Sequence, residues 1–295
     1  MLDVRPSPIA GKWYEGNAKA LARSIDEFLD NANLPELDGE VVGVIAPHAG
    51  HVYSGAVAGY AFAALRLAER NEPTGEGNRS ALRLQAGTKL VAVISPLHHP
   101  YYEPLITTAH DAYRTPLGDI PVDKDALNEL DGILKSELGF GLSPVARDPE
   151  HSLEIELPFL QRALKPGWKL LPVMVRAQDP RVSQGLGMAL AQVLRDKNFA
   201  LVASTDLSHF YNQDAALKYD NFILDQIEAF DPDAAFAAER TGKGFACGLA
   251  AVTAVLWASR ELGADRVKVL QHATSGDVTG DYSSVVGYGA AVILR

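Results

Sequence analysis

The chain has 295 residues, of which 47% are hydrophobic, 22% charged and 8% aromatic. That is a globular composition with enough apolar mass for a large core. Lys and Arg number 27 against 37 Asp and Glu, a formal net charge of −10. This is the wrong sign for a phosphate-binding surface or for attachment to anionic lipid, so neither nucleic acid nor a membrane is an expected partner.

The elements follow in chain order. The opening MLDVRPSPIAGKWYEG lacks the basic and apolar regions of a signal peptide. Residues 17–32 read as a helix with Ala20, Leu21, Ile25, Phe28 and Leu29 on one face. Residues 41–46 (VVGVIA) and 89–95 (KLVAVIS) read as strands, separated by a polar stretch, 69–87, expected to be a surface insertion. Residues 152–164 read as a helix, with Asp148 as its N-cap and Pro149 at its first position. Strands are expected at 169–175, 199–205, 266–272 and 283–294, and helices at 183–195, 215–230 and 247–262. The strand runs do not alternate, which suits strands buried on both faces of a sheet. Helix and strand alternate throughout without a shift in composition. The expected fold is α/β: one domain over 1–295, a three-layer sandwich around a mostly parallel or mixed sheet.

Several common α/β chemistries lack their signatures. There is no phosphate-binding G-x-x-x-x-G-K-[ST] loop, no G-x-S-x-G nucleophile elbow and no H-E-x-x-H zinc motif. Gly287-Tyr-Gly289 comes too near the end to open a dinucleotide-binding unit. The lone Cys247 excludes an internal disulfide and a Cys-rich zinc knuckle. No window of about 18 residues is uninterruptedly apolar. A reducing cytoplasm is the expected compartment.

The remaining signal lies in the histidines. Of eight, five (His48, His51, His98, His99 and His209) lie within a few residues of an expected strand end. One histidine after a strand is ordinarily a loop or cap residue. Five together, with Asp206 beside the last, point to one crevice beyond the carboxyl edge of the sheet, where α/β proteins bind ligands. Converging imidazoles are what a transition-metal site requires. His98 and His99 are adjacent, so in extended chain their side chains diverge and at most one can meet the ion.

Cys247 precedes an apolar helix whose dipole favours a thiolate, although a small buried hydrophobe is the commoner fate of a lone cysteine. His151 and Glu154, three residues apart, can face the same crevice as support or proton relay, or simply open a helix. Arg114 is expected in a surface ion pair rather than on an anionic substrate.

Six stretches, in order, carry a resemblance. They are Ala46-Pro-His-Ala-Gly50, Leu97-His-His99, Asp111-Ala-Tyr-Arg-Thr-Pro-Leu117, Glu150-His-Ser-Leu-Glu154, Ser204-Thr-Asp-Leu-Ser-His209 and Cys247-Gly248. Together with Ala10-Gly-Lys-Trp-Tyr14 and Asp281-Tyr-Ser-Ser-Val285, they resemble the Memo family, whose bacterial and archaeal members are called AmmeMemoRadiSam system protein B. The resemblance spans nearly the whole chain. It implies the fold of the class III extradiol dioxygenases, metal ligands at His48, His98 and Cys247, and acid–base groups at Asp206 and His209. It also implies a non-haem Fe(II) or copper redox protein acting on a small organic substrate, phenolic or otherwise. AMMECR-type and radical-SAM partners follow from the family name alone.

The ring-cleaving enzymes have a carboxylate where this chain has Cys247. A thiolate is softer and more easily oxidised, which favours metal binding and weakens the case for ring cleavage. Two other readings therefore stand beside the redox enzyme: a retired dioxygenase fold that binds a metal, metabolite or protein, and a zinc hydrolase.

Overall fold

The computed structural model describes residues 2–71, 82–84 and 87–295. The first half of the chain contains β1 (Val4–Arg5), α1 (Ala18–Asn31), β2 (Val41–Ala46), α2 (His51–Arg70), β3 (Leu90–Pro96), β4 (Leu105–Thr108), β5 (Ala112–Thr115), β6 (Gly118–Pro121), α3 (Lys124–Leu138) and β7 (Ser143–Val145). A 3-10 turn (Glu154–Glu156), α4 (Leu157–Ala163), β8 (Lys169–Val175), α5 (Pro180–Leu194), β9 (Phe199–Ser204) and β10 (His209–Tyr211) follow. The last elements are α6 (Gln213–Glu228), α7 (Pro232–Arg240), α8 (Leu249–Glu261), β11 (Arg266–Thr274), α9 (Gly276–Thr279) and β12 (Val285–Leu294).

Among the described residues nine strands form one mixed sheet, in the order β10-β12-β2-β9-β3-β8-β4-β7, with β11 on the other flank of β12. The centre, β2-β9-β3-β8, is parallel, and β4 and β12 run antiparallel to it. Every residue of β2, β3 and β9 is buried, as their unbroken apolar runs require when helices cover both faces. One helical layer is α1, α2 and α4, with α2 on β2, β11 and β12. The other contains α8 on β3 and β9, flanked by α5 and α7, with α6 on β11 and β12. A separate three-stranded sheet, β1-β5-β6, holds the N-terminal strand against the hairpin that carries Arg114. Arg114 makes the expected ion pair there, with Asp119 at 2.7 Å.

The parallel centre brings three loops to one edge. Ala46 at the end of β2 is in register with Ser204 at the end of β9, and β9 runs beside β3. The next residues are Pro47-His48, Thr205-Asp206 and Leu97-His98. Gly248, at the N-cap of α8, closes the group. A Cβ there would stand 2.2 Å from the Ser204 carbonyl oxygen, so only glycine lets Cys247 reach the end of β9.

One expectation is corrected. Asp148 does not cap a helix. Arg5 takes its carboxylate with Nε and Nη2, both at 2.8 Å, and the helix begins only after the 3-10 turn, at Leu157. Most of the expected insertion at 69–87 lies outside the described residues. Of the rest, Glu69 and Arg70 close α2, and the Leu82 and Leu84 side chains are buried in the core. Among the described residues no helix is long and apolar enough to cross a membrane.

Candidate metal centre

His48, His98 and Cys247 come together at the strand ends. One ligand atom of each lies within 4.8 Å of the other two. The Cys247 Sγ is 3.1 Å from His48 Nε2, and the His48 and His98 ring centroids are 5.2 Å apart and near perpendicular. Each imidazole has its other nitrogen occupied. His48 Nδ1 meets Ser204 Oγ at 2.9 Å, and His98 Nδ1 meets Glu150 Oε1 at 3.0 Å. The two Nε2 atoms are thus left for an ion, an arrangement typical of metal-bound histidines.

Burial, then the nearby His151 and His98 charges, hold the His48 imidazole well below its ordinary value. His48 is therefore neutral at pH 7, the form that binds metals. Burial of the sulfur, then the Asp206 charge, push the Cys247 thiol up. Of the two readings of this cysteine, burial prevails over the dipole-favoured thiolate: Cys247 lies outside α8, and desolvation outweighs the helix end. A cation among these side chains would offset that cost, because thiolate binding to a metal releases the proton.

Glu150 is the residue that sequence reasoning missed. Its carboxylate accepts hydrogen bonds from the backbone N–H of His98 (2.6 Å), His151 (2.9 Å) and Ser152 (3.0 Å), besides His98 Nδ1. Burial opposes its charge, but these donors, His98 first, hold it below the ordinary carboxylate range. Its only signal in the sequence was its place beside His151. Together with His98 and His151 it forms a second group of ligand-type atoms, but the Glu150 oxygen and the His98 nitrogen already satisfy each other.

His151 joins the cluster. Its ring stacks on His98 (centroids 4.8 Å, 14°) and lies 5.5 Å from His48, with Trp13 on it at 4.0 Å. Burial lowers His151 to about 4. Asp206 accepts from the His48 N–H at 2.8 Å, and its own N–H meets Cys247 Sγ at 3.3 Å. Burial raises Asp206 to about 7, against hydrogen bonds from the His48 and Ala49 backbone. His209 Nδ1 donates to the Leu207 carbonyl at 2.8 Å, leaving Nε2 without a partner among the described residues, and burial lowers this imidazole too.

Glu154 is not brought into the cluster. One oxygen accepts from Ser7 and Tyr14 and the other from Arg5. The supporting role expected of it is corrected to that of an anchor for the N-terminal segment. His51, counted among the strand-end histidines, opens α2 instead. Its ring packs against Phe159 at 4.9 Å and Tyr14 at 5.4 Å.

Fold and side chains thus define a mixed-sheet α/β protein with a candidate metal centre at the carboxyl edge of its parallel strands. The family model described as Memo-like protein matches residues 5–292, and the chain belongs to the Memo family. It is 32% identical to a MEMO1 family protein of Methanococcoides burtonii, covering 98% of this chain and 100% of that relative. It is 30% identical to one of Nitrosopumilus maritimus, covering 97% and 98% respectively. An uncharacterized protein of Escherichia coli K12, known from its crystal structure, shares the fold with a TM-score of 0.50 at 12% identity, over 85% of this chain and 98% of that one.

Proposed function

We propose that this Memo family protein is a metal-dependent redox protein that holds non-haem Fe(II), or copper, with His48, His98 and Cys247. The observation that carries the reading is the mutual reach of the three ligand atoms, within 4.8 Å, with both imidazoles oriented by partners on their far nitrogens. Two nitrogens and one sulfur suit iron, copper and zinc in kind and leave open positions. When bound, a redox ion of this sort supplies oxygen-dependent chemistry to a small organic, phenolic substrate.

The chain's own residues would do the rest. His209 offers an unengaged Nε2 as proton acceptor beside the cluster, and Asp206 is poised near neutrality to hold or release a proton. His151, neutral and packed against Trp13 and His98, walls the crevice. The softness of the thiol favours one second reading, a zinc hydrolase with the same three ligands.

Elemental analysis of freshly purified protein, beside His48→Ala, tests the assignment. The expected result is near-stoichiometric iron or copper that the variant loses. Zinc, with turnover indifferent to oxygen, would move the reading to hydrolysis. Metal retained at full stoichiometry in His48→Ala would sink the ligand assignment. No metal after anaerobic reconstitution would leave a binding module.

A further inference from the structure

The two imidazoles of the centre have unlike supports. His98 leans on the carboxylate of Glu150, whereas His48 leans on a hydroxyl. Ser204 Oγ has three polar neighbours: His48 Nδ1 at 2.9 Å, the Ser152 carbonyl oxygen at 2.7 Å and Glu156 Oε1 at 2.6 Å. Ser204 and Glu156 are both fully buried.

Counting hydrogens decides the arrangement. A hydroxyl has one hydrogen and two lone pairs. Three contacts of this length need three hydrogens. The Ser152 carbonyl brings none, so one comes from His48 Nδ1, one from Ser204 and one from Glu156. The Ser204 hydrogen then goes to the Ser152 carbonyl, and its two lone pairs receive His48 and Glu156. An ionised Glu156 would leave two oxygens facing each other at hydrogen-bond distance with no hydrogen between them. It would also leave a charged Oε2 in the core, where that atom has no partner among the described residues.

We propose that Glu156 is a carboxylic acid rather than a carboxylate, and that through Ser204 it is the positioning residue that fixes His48 with its Nε2 lone pair toward Cys247. This rests on the metal-centre reading for its purpose but not for its geometry. Burial, acting in the same direction, raises Glu156 well above the ordinary carboxylate range. The consequence is an asymmetric centre. A carboxylate partner makes His98 the stronger donor, while a neutral partner leaves His48 weaker and keeps a second negative charge away from the thiol.

Infrared difference spectroscopy of the metal-free protein against Glu156→Gln tests the protonation directly. The expected result is a carboxylic C=O stretch that the variant lacks. Nitrogen-15 NMR of histidine-labelled protein, also without metal, should show His48 as the Nδ1–H tautomer in wild type and in Glu156→Gln, whose amide can still donate to Ser204. Ser204→Ala should lose that preference.

Zn(II) affinity by chelator competition gives a third readout. Glu156→Gln should stay near wild type, and Ser204→Ala should weaken binding about 10- to 100-fold. Glu156→Leu should weaken it less, and the double variant no more than Ser204→Ala alone, because the acid acts only through the hydroxyl. Absence of the infrared band, an Nε2–H tautomer, or Glu156→Gln binding as poorly as Glu156→Leu would overturn the proposal. Failure of wild type to bind any metal would remove the metal-centre reading and leave the first two measurements as the test.

Discussion

Replacing Glu150 with Gln keeps the shape of the side chain and removes its charge. The carboxylate serves the His98 backbone N–H through Oε2, and His98 Nδ1 with the His151 and Ser152 N–H groups through Oε1. A carboxamide has one acceptor oxygen. With that oxygen at the more crowded position, the amide nitrogen confronts the His98 N–H, donor to donor. An unsatisfied buried N–H costs about 1–3 kcal/mol, and the remaining bonds lose charge assistance, so a total near 3 kcal/mol is expected at pH 7.

The pH dependence gives a second signature. The folded value of Glu150 lies below its ordinary 4.5, so its contribution is fully present above that pH and is lost as pH falls through the folded value. The difference between wild type and Glu150→Gln should therefore narrow in acid. Urea unfolding at pH 7 and pH 3.5 measures both effects, and Zn(II) affinity should fall about 10- to 100-fold as His98 loses its brace. A variant within about 0.5 kcal/mol of wild type at pH 7, or a gap that does not narrow in acid, would refute the reasoning.

Two further perturbations probe the surroundings. Arg5→Met should cost about 3–5 kcal/mol, because it leaves Asp148 and Glu154 buried without their shared cation; calorimetry checks this, and a shift within error would show that the N-terminal segment is held by other means. Asp206→Asn should change the pH profile in the opposite sense to Glu150→Gln. Asp206 is raised from 3.8 to about 7, so the folded state holds the extra proton and the wild-type contribution is lost as pH rises through that window. The variant should gain on wild type between pH 4 and pH 8, by up to roughly 4 kcal/mol, in denaturant titrations across that range; parallel curves would show that Asp206 is already ionised at pH 4.

The parallel strands were legible because burial on both faces leaves unbroken apolar runs, and β2, β3, β8 and β9 lie within a residue of where the runs put them. Helix α2 was not. Its residues are apolar nearly all round, since α1 covers one side and the sheet another, so no amphipathic period marks it. The start of α4 was misplaced because Asp148 is taken by an arginine 143 positions away, and no local pattern reports a partner at that distance.

The acids between residues 150 and 156 show where reading by residue type stops. Glu150, Glu154 and Glu156 lie within one short segment, and all are buried, yet each has a different task. Glu150 meets backbone and imidazole N–H groups and stays charged. Glu154 meets Arg5 and ties down the N-terminal segment. Among the described residues, the Glu156 carboxyl meets only a serine hydroxyl, with no cation to offset burial. Their partners arrive from β1, the end of β3 and the end of β9, so the distinction exists only once the sheet has brought those ends together. Sequence spacing located the crevice, because strand ends are local features. It could not assign the carboxyls, because what fixes the state of each is a partner supplied by a distant strand.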